Sequence, residues 1–154
     1  MNRVLSGNIF EVIVPNDQKR YFQYVCKDLS LLNGDVIRVF SRSYAITASP
    51  TVEEIICDEV DCYMHTAVGA GVKFGLWTYY GRNKNVGSKE VYFRDANDYG
   101  HYPGERIVSH NWTVWKINGG KEICRHASRG ILFRIYRTAV QPFFCRISNI
   151  LWSL

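Results

Sequence analysis

Three runs of β-type residues, each closed by turn chemistry, fill residues 6–41 and constrain the chain more than any other stretch. The first, at 9–14, is I-F-E-V-I-V. Successive side chains of a strand point to opposite faces, so Phe10, Val12 and Val14 share one face and Ile9, Glu11 and Ile13 the other. Pro15 has no amide hydrogen to give a ladder, and Asn16-Asp17 favour a turn, so the strand ends there. The second run, at 20–27, sets Phe22, Tyr24 and Cys26 against Tyr21, Gln23 and Val25. Its short link to the first predicts a hairpin. Asn33-Gly34 marks the next turn, since glycine tolerates positive φ at little cost. The third run, at 36–41, sets Ile37 and Val39 against Val36, Arg38 and Phe40. An antiparallel meander with apolar groups on both faces follows, one side packing a core and the other partly covered.

The remaining chain adds short elements to that meander. Ser49 or Thr51 can cap a helix, and Pro50 suits its first turn. Val52, Ile55 and Ile56 then fall on one helical face, with Glu53, Glu54 and Asp58 turned away. Residues 60–65 alternate as a strand. Residues 67–76 read as a glycine-interrupted short helix packed closely on the sheet. They lack the strand–G-x-G-x-x-G–helix context and the G-K-[ST] of a phosphate loop. Further strands are expected at 77–80, 91–94 and 111–117, the last forming a hairpin with 121–125 across Asn118-Gly119-Gly120. The expected fold is α+β. It is a mainly antiparallel, strongly bent sheet or small partly open barrel that begins with the three-strand meander, plus one or two short helices.

The 154 residues suit a single domain, with 1–120 as main body and 121–154 as a basic, apolar C-terminal segment. The chain holds no apolar run of about 18 residues, which argues against a membrane span. Residues 1–6 lack the apolar stretch of a signal peptide, so the cytoplasm is the expected location. Five cysteines without a paired C-x-x-C point to free thiols rather than a disulfide framework. Cys57, Cys62 and His65 lack a second pair of ligands, so no metal or other cofactor is expected.

The formal net charge is +5. Residues 1–120 hold 13 Lys+Arg and 13 Asp+Glu, whereas residues 121–154 hold six Lys+Arg against Glu122 alone. The basic excess therefore describes the tail and not the body. Three readings of the tail stand: a packed terminal element, a basic amphipathic surface for membrane or nucleic acid, or an end with no evolved role.

Within the neutral body, residues 53–61 concentrate five acids: Glu53, Glu54, Asp58, Glu59 and Asp61. Acids near a helix N-terminus suit the helix dipole, and that alone accounts for a solvated acidic face. The functional reading is a patch that recognises a basic partner, such as the substrate cleft of a nuclease.

For catalysis, His65, His101, His110 and His126 sit in no H-E-x-x-H, H-x-H or G-x-S-x-G context. Asp95 and Asp98 fall in a turn, where such residues commonly bond backbone amides. With no enzymatic signature, a non-catalytic protein is expected.

Several stretches together resemble the immunity protein 26 family of bacterial polymorphic-toxin systems. They are S-G-N-I-F-E-V-I-V-P at 6–15, R-Y-F-Q-Y-V-C-K-D at 20–28, N-G-D-V-I-R-V-F at 33–40 and G-L-W-T-Y-Y-G at 75–81. V-Y-F-R-D-A-N-D-Y-G at 91–100 and N-W-T-V-W-K-I-N at 111–118 look similar to the same group. The resemblance implies a small cytoplasmic protein that binds a cognate toxin, for which a nuclease is a reasonable guess, and blocks it. The motifs are strand and turn patterns, so no interface residue is carried over from them. The alternative reading is a small-barrel nucleic-acid-binding module that uses Tyr21, Tyr99 or Trp112 with the basic tail. The balanced charge of residues 1–120 counts against it, and nucleic acid is not the expected partner.

Overall fold

The longest strand, β2 (Gln18–Asp28), is the spine on which the other elements assemble. In the computed structural model, which describes residues 4–30, 33–96 and 111–125, it pairs antiparallel with β1 (Asn8–Val14) along its first half. On its other side it pairs with β3 (Gly34–Phe40) along residues 22–28. The same side of its first residues is taken by β4 (Tyr44–Ala45). Next come α1 (Val52–Ile56), β5 (Val60–Thr66), α2 (Val68–Lys73) and β6 (Thr78–Arg82). The main sheet runs β5-β3-β2-β1-β6, with β4 beside the start of β2. A second sheet runs β7-β8-β9, from β7 (Tyr92–Ala96), β8 (Asn111–Lys116) and β9 (Lys121–Arg125). Each of these pairings is antiparallel.

The main sheet is bent and does not close into a barrel. Register shifts between Ile9 and Phe10, between Tyr24 and Cys26 and between Val39 and Phe40 mark where extra residues enter the ladders. Such bulges bend a strand and increase its local twist. The turns are made by the residues expected to make them: Asn16, Asp17 and Asn33 have positive φ. One expectation changes at the second bulge. Strict alternation put Cys26 with Phe22 and Tyr24, but the shift after Tyr24 turns Cys26 toward the Val25 cluster.

Both faces of the main sheet are covered. One carries Phe10, Val12, Phe22, Tyr24, Ile37, Val39 and Cys62, packed under Val68 and Trp77. On the opposite face, Ile9, Tyr21 and Phe40 pack with Ile55 of α1. Further along that face, Val25, Val36 and Tyr63 pack against Val91, Phe93, Trp115 and Ile117, which brings the second sheet onto the first. Full burial of side chains of this size contributes about 1.5–3 kcal/mol each.

The two helices are too short to persist alone and depend on what they touch. Thr51, not Ser49, caps α1: its hydroxyl accepts from Glu54 N–H, while the Glu54 carboxylate accepts from Thr51 N–H. Pro50 therefore precedes the cap and is not in the first turn. Ala67 gives α2 no side-chain cap, and the carboxylate of Asp35 on β3 takes the Val68 N–H instead, at 3.0 Å. The strand expected at 77–80 begins one residue later, because Trp77 turns inward and donates its indole N–H to Val68 C=O at 3.0 Å.

Trp77 lies against Gly71 so closely that a Cβ there would sit 1.8 Å from the indole ring. Alanine is favoured over glycine in a helix by about 1 kcal/mol, yet overpacking a core costs roughly 1–3 kcal/mol. Gly71→Ala is expected to lower stability, read as a lower urea midpoint with an unchanged slope. A gain in midpoint would show that the ring can move away at no cost.

Candidate functional site

The five acids of residues 53–61 meet at one corner of the fold, where α1 hands over to β5. The structure gives three of them structural work. Glu54 completes the capping box, and the Thr51 backbone N–H, followed by its hydroxyl, holds the Glu54 carboxyl below its usual range. Asp58 accepts the Arg42 N–H at 2.7 Å and the Glu59 N–H at 2.8 Å, tying the end of the meander to the end of α1. Asp61 pairs with Arg20 at 2.9 Å. Arg20 is buried and also donates twice to Phe40 C=O. Glu53 and Glu59 are exposed, and neither side chain makes a hydrogen bond or ion pair shown among the described residues. The corner thus presents two outward carboxylates on backbone fixed by the other three.

A second polar cluster lies inside the molecule, on the meander itself. Asp28, at the end of β2, is 0 % exposed. Its Oδ1 accepts from Ser30 N–H and Asn118 N–H, both at 3.0 Å, and from the Ser30 hydroxyl. Its Oδ2 accepts from Trp115 Nε1 at 3.1 Å and lies 3.0 Å from His65 Nε2. Asn118, at positive φ, locks the two turns together: its Oδ1 accepts from Leu29 N–H and its Nδ2 donates to Lys27 C=O. Burial raises the Asp28 pKa. The hydrogen bonds from the Ser30 hydroxyl, Asn118 N–H, His65 and Ser30 N–H outweigh it, bringing the value from 3.8 down to about 2. His65 packs on Phe93, with ring centroids 4.3 Å apart.

A third cluster fills the middle of the same sheet face. Gln23 and Arg38 stand opposite each other in register, and Arg38 Nε donates to Gln23 Oε1 at 2.8 Å. Gln23 Nε2 donates to Gly7 C=O and Asn83 C=O, and Arg38 donates to Asn85 C=O. The loop after β6 is therefore held down on the sheet. Gly87 fits there because it has positive φ and because a Cβ would lie 2.4 Å from Arg38 Nη1. Beside this, Lys19 is buried and paired with Glu11 at 2.9 Å, and Glu11 also accepts from the Tyr21 hydroxyl at 2.9 Å.

Among the described residues, these bonds engage Asp28, His65, Lys19 and Arg38 within the fold. An anion holding four donors, with a histidine facing it, forms a structural clasp. Burial, then the neighbouring Asp61 charge, pushes the Cys62 thiol up to about 11, and burial also raises Cys26. Both are protonated at neutral pH and poor nucleophiles. Cys57 is exposed, Cys62 is buried, and His65 is engaged by Asp28. Among the described residues no three His, Cys, Asp or Glu side chains are placed to hold a metal ion. His101, His110, His126, Asp98 and the tail from 126 onward lie outside the described residues.

Of the aromatics considered for stacking on bases, Tyr21 is excluded, being 1 % exposed. It is packed between Tyr44 and Tyr80 beneath α1, because its strand position faces the covered side of the sheet. Trp112 is half-buried under the Arg94 guanidinium, 4.6 Å from the ring. Tyr99 lies outside the described residues. Among the described residues no helix is long and apolar enough to cross a membrane. Comparison of the chain with models of protein families, with curated proteins and with solved structures finds no match.

The clasp predicts acid sensitivity with a defined sign. A carboxyl whose folded pKa lies below its unfolded value adds stability above the unfolded value and loses it as pH falls through the folded one. For Asp28 the contribution is complete above about pH 4 and disappears toward pH 2; the shift from 3.8 to about 2 corresponds to roughly 2 kcal/mol. Urea unfolding between pH 6 and pH 2.5 measures it, and Asp28→Asn should flatten the curve in that window. An equally steep curve in the variant would assign the acid sensitivity to other groups.

Proposed function

We propose that the chain is a non-catalytic immunity protein, which binds a cognate toxin and covers its active site. The observation that carries this reading is the acidic corner: Glu53 and Glu59 face outward on a backbone whose ends are fixed by a capping box, by Asp58 and by the Arg20–Asp61 pair. A surface already held in one conformation loses little freedom when it binds. Two outward carboxylates with Asp58 beside them suit a positively charged partner, such as the nucleic-acid cleft of a nuclease. The strand and turn motifs of residues 6–118 that resemble the immunity protein 26 family support the same class. The engagement of Asp28, His65 and Cys62 in packing supports a role carried by surface and not by chemistry. The nucleic-acid alternative is weaker by one platform, since Tyr21 is buried.

Co-expression with the toxin encoded beside the gene tests the reading directly. The chain should rescue growth and co-purify with the toxin; failure of both overturns it. The corner has its own test. Glu53→Lys with Glu59→Lys leaves the structural acids intact and should slow association by about tenfold at low salt, with the difference shrinking as salt screens it. An unchanged association rate would remove the corner as the contact.

A further inference from the structure

We infer that the β7–β8–β9 sheet is a hinged leaf, which opens from the main sheet as one unit about residues 87–90 with Asp28 as its latch. Among the described residues no ladder joins a strand of one sheet to a strand of the other. The described residues of the two pack through the apolar cluster of Val25, Val36 and Tyr63 against Phe93, Trp115 and Ile117, with His65 of β5 against Phe93 and Trp115. Among the described residues, hydrogen bonds from Asp28, Ser30 and the turn around Asn118 gather at one corner between them.

The root of the leaf is pinned separately. Gln23 and Arg38 hold the carbonyls of Asn83 and Asn85 at 2.7 Å each. Beyond that point residues 87–90 are exposed. Gly87 N–H bonds Asn85 Oδ1 on the pinned side, while Glu90 bonds Ser88 Oγ through its N–H and pairs with Lys116 of β8 through its carboxylate, so rotation falls on the backbone between Gly87 and Ser88. Then Val91 enters the apolar cluster and accepts Ile117 N–H, which makes the leaf internally closed. An exposed segment with few apolar contacts, between a pinned root and a latched body, is where a hinge belongs. Opening would uncover Val25, Val36 and Tyr63 while leaving the ladders of the six-stranded main sheet intact.

Native-state hydrogen exchange of the full chain at low urea tests this. The ladder amides of β7 and β8 should share one opening isotherm, about tenfold or more less protected than those of β2 and β3. Asp28→Asn replaces one acceptor oxygen by an NH2 group, so in either amide orientation one leaf donor, the Trp115 indole N–H or the Asn118 N–H, loses its acceptor, and protection of the leaf should fall by roughly a further tenfold. Amides of β2 and β3 should stay within about twofold of wild type, outside the reach of a local opening. If leaf and main sheet share one isotherm in the wild-type protein, the leaf does not open alone and the inference fails. It fails as well if Asp28→Asn shifts both sheets equally or leaves the leaf unmoved. Should the variant not fold, the wild-type isotherms alone decide.

Discussion

The buried carboxylate of Asp28 is the interaction on which the arrangement of the two sheets depends. An ionised group removed from water is costly unless it is fully hydrogen-bonded. Here the donors come from the turn after β2, from β5, from β8 and from the turn after β8, and no one of these segments can satisfy the anion alone. Folding the meander without the second sheet would leave the carboxylate short of Trp115 and Asn118. Packing the second sheet elsewhere would leave the indole N–H unpaired. The requirement for complete pairing thus converts one side chain into a register for docking, which apolar contact, being non-directional, does not provide.

The same logic operates in the middle of β2. Along one face of this strand, Tyr21 belongs to the cluster under α1 and Val25 to the cluster under the second sheet, with Gln23 between them. Across from it, β3 repeats the order as Phe40, Arg38 and Val36. A polar layer therefore divides one covered face into two apolar compartments. Burial lowers the pKa of Arg38, with Tyr63 acting the other way, and the guanidinium, whose ordinary pKa lies far above neutral, stays charged while donating to Gln23 and the Asn85 carbonyl. The division gives α1 and the second sheet separate seats.

Much of the architecture was legible because it follows from local rules. Alternation in residues 9–14 and 36–40, the turns at Asn16-Asp17 and Asn33 and the β8–β9 hairpin reappear as read, and of the two caps offered, Ser49 and Thr51, the fold uses Thr51. The exceptions have local causes too: a bulge sends Cys26 to the wrong face for its parity, and Trp77 leaves its strand to fill the space above Gly71. The clasp was not legible. Asp28 and Trp115 are 87 residues apart in the chain, and nothing in either neighbourhood announces the other. A signal did exist in Gln23 and Arg38, polar residues at positions where their strands otherwise bury apolar side chains. The pattern shows such a break, but only the fold shows which carbonyls it serves. The same limit applies to the acidic segment: sequence counts five carboxylates alike, and geometry separates Glu54, Asp58 and Asp61, which hold the corner, from Glu53 and Glu59, which face out.

That separation bears on where a partner can bind. The faces of the main sheet are occupied by α2 and Trp77 on one side, and by α1 and the second sheet on the other. Under the proposed reading, a partner of the closed molecule would meet rims and corners of the described residues instead of a sheet face. Some charges elsewhere are matched within the chain, as in Lys19–Glu11 and Lys27–Asp35. The α1–β5 corner differs: three acids are spent on holding the backbone, and the two left over add negative charge with no shown counter-ion beside them. The proposed contact draws on this difference: the corner's own bonds run through Thr51, Arg42 and Arg20, so Glu53 and Glu59 are free to serve an oppositely charged surface without being needed for the fold.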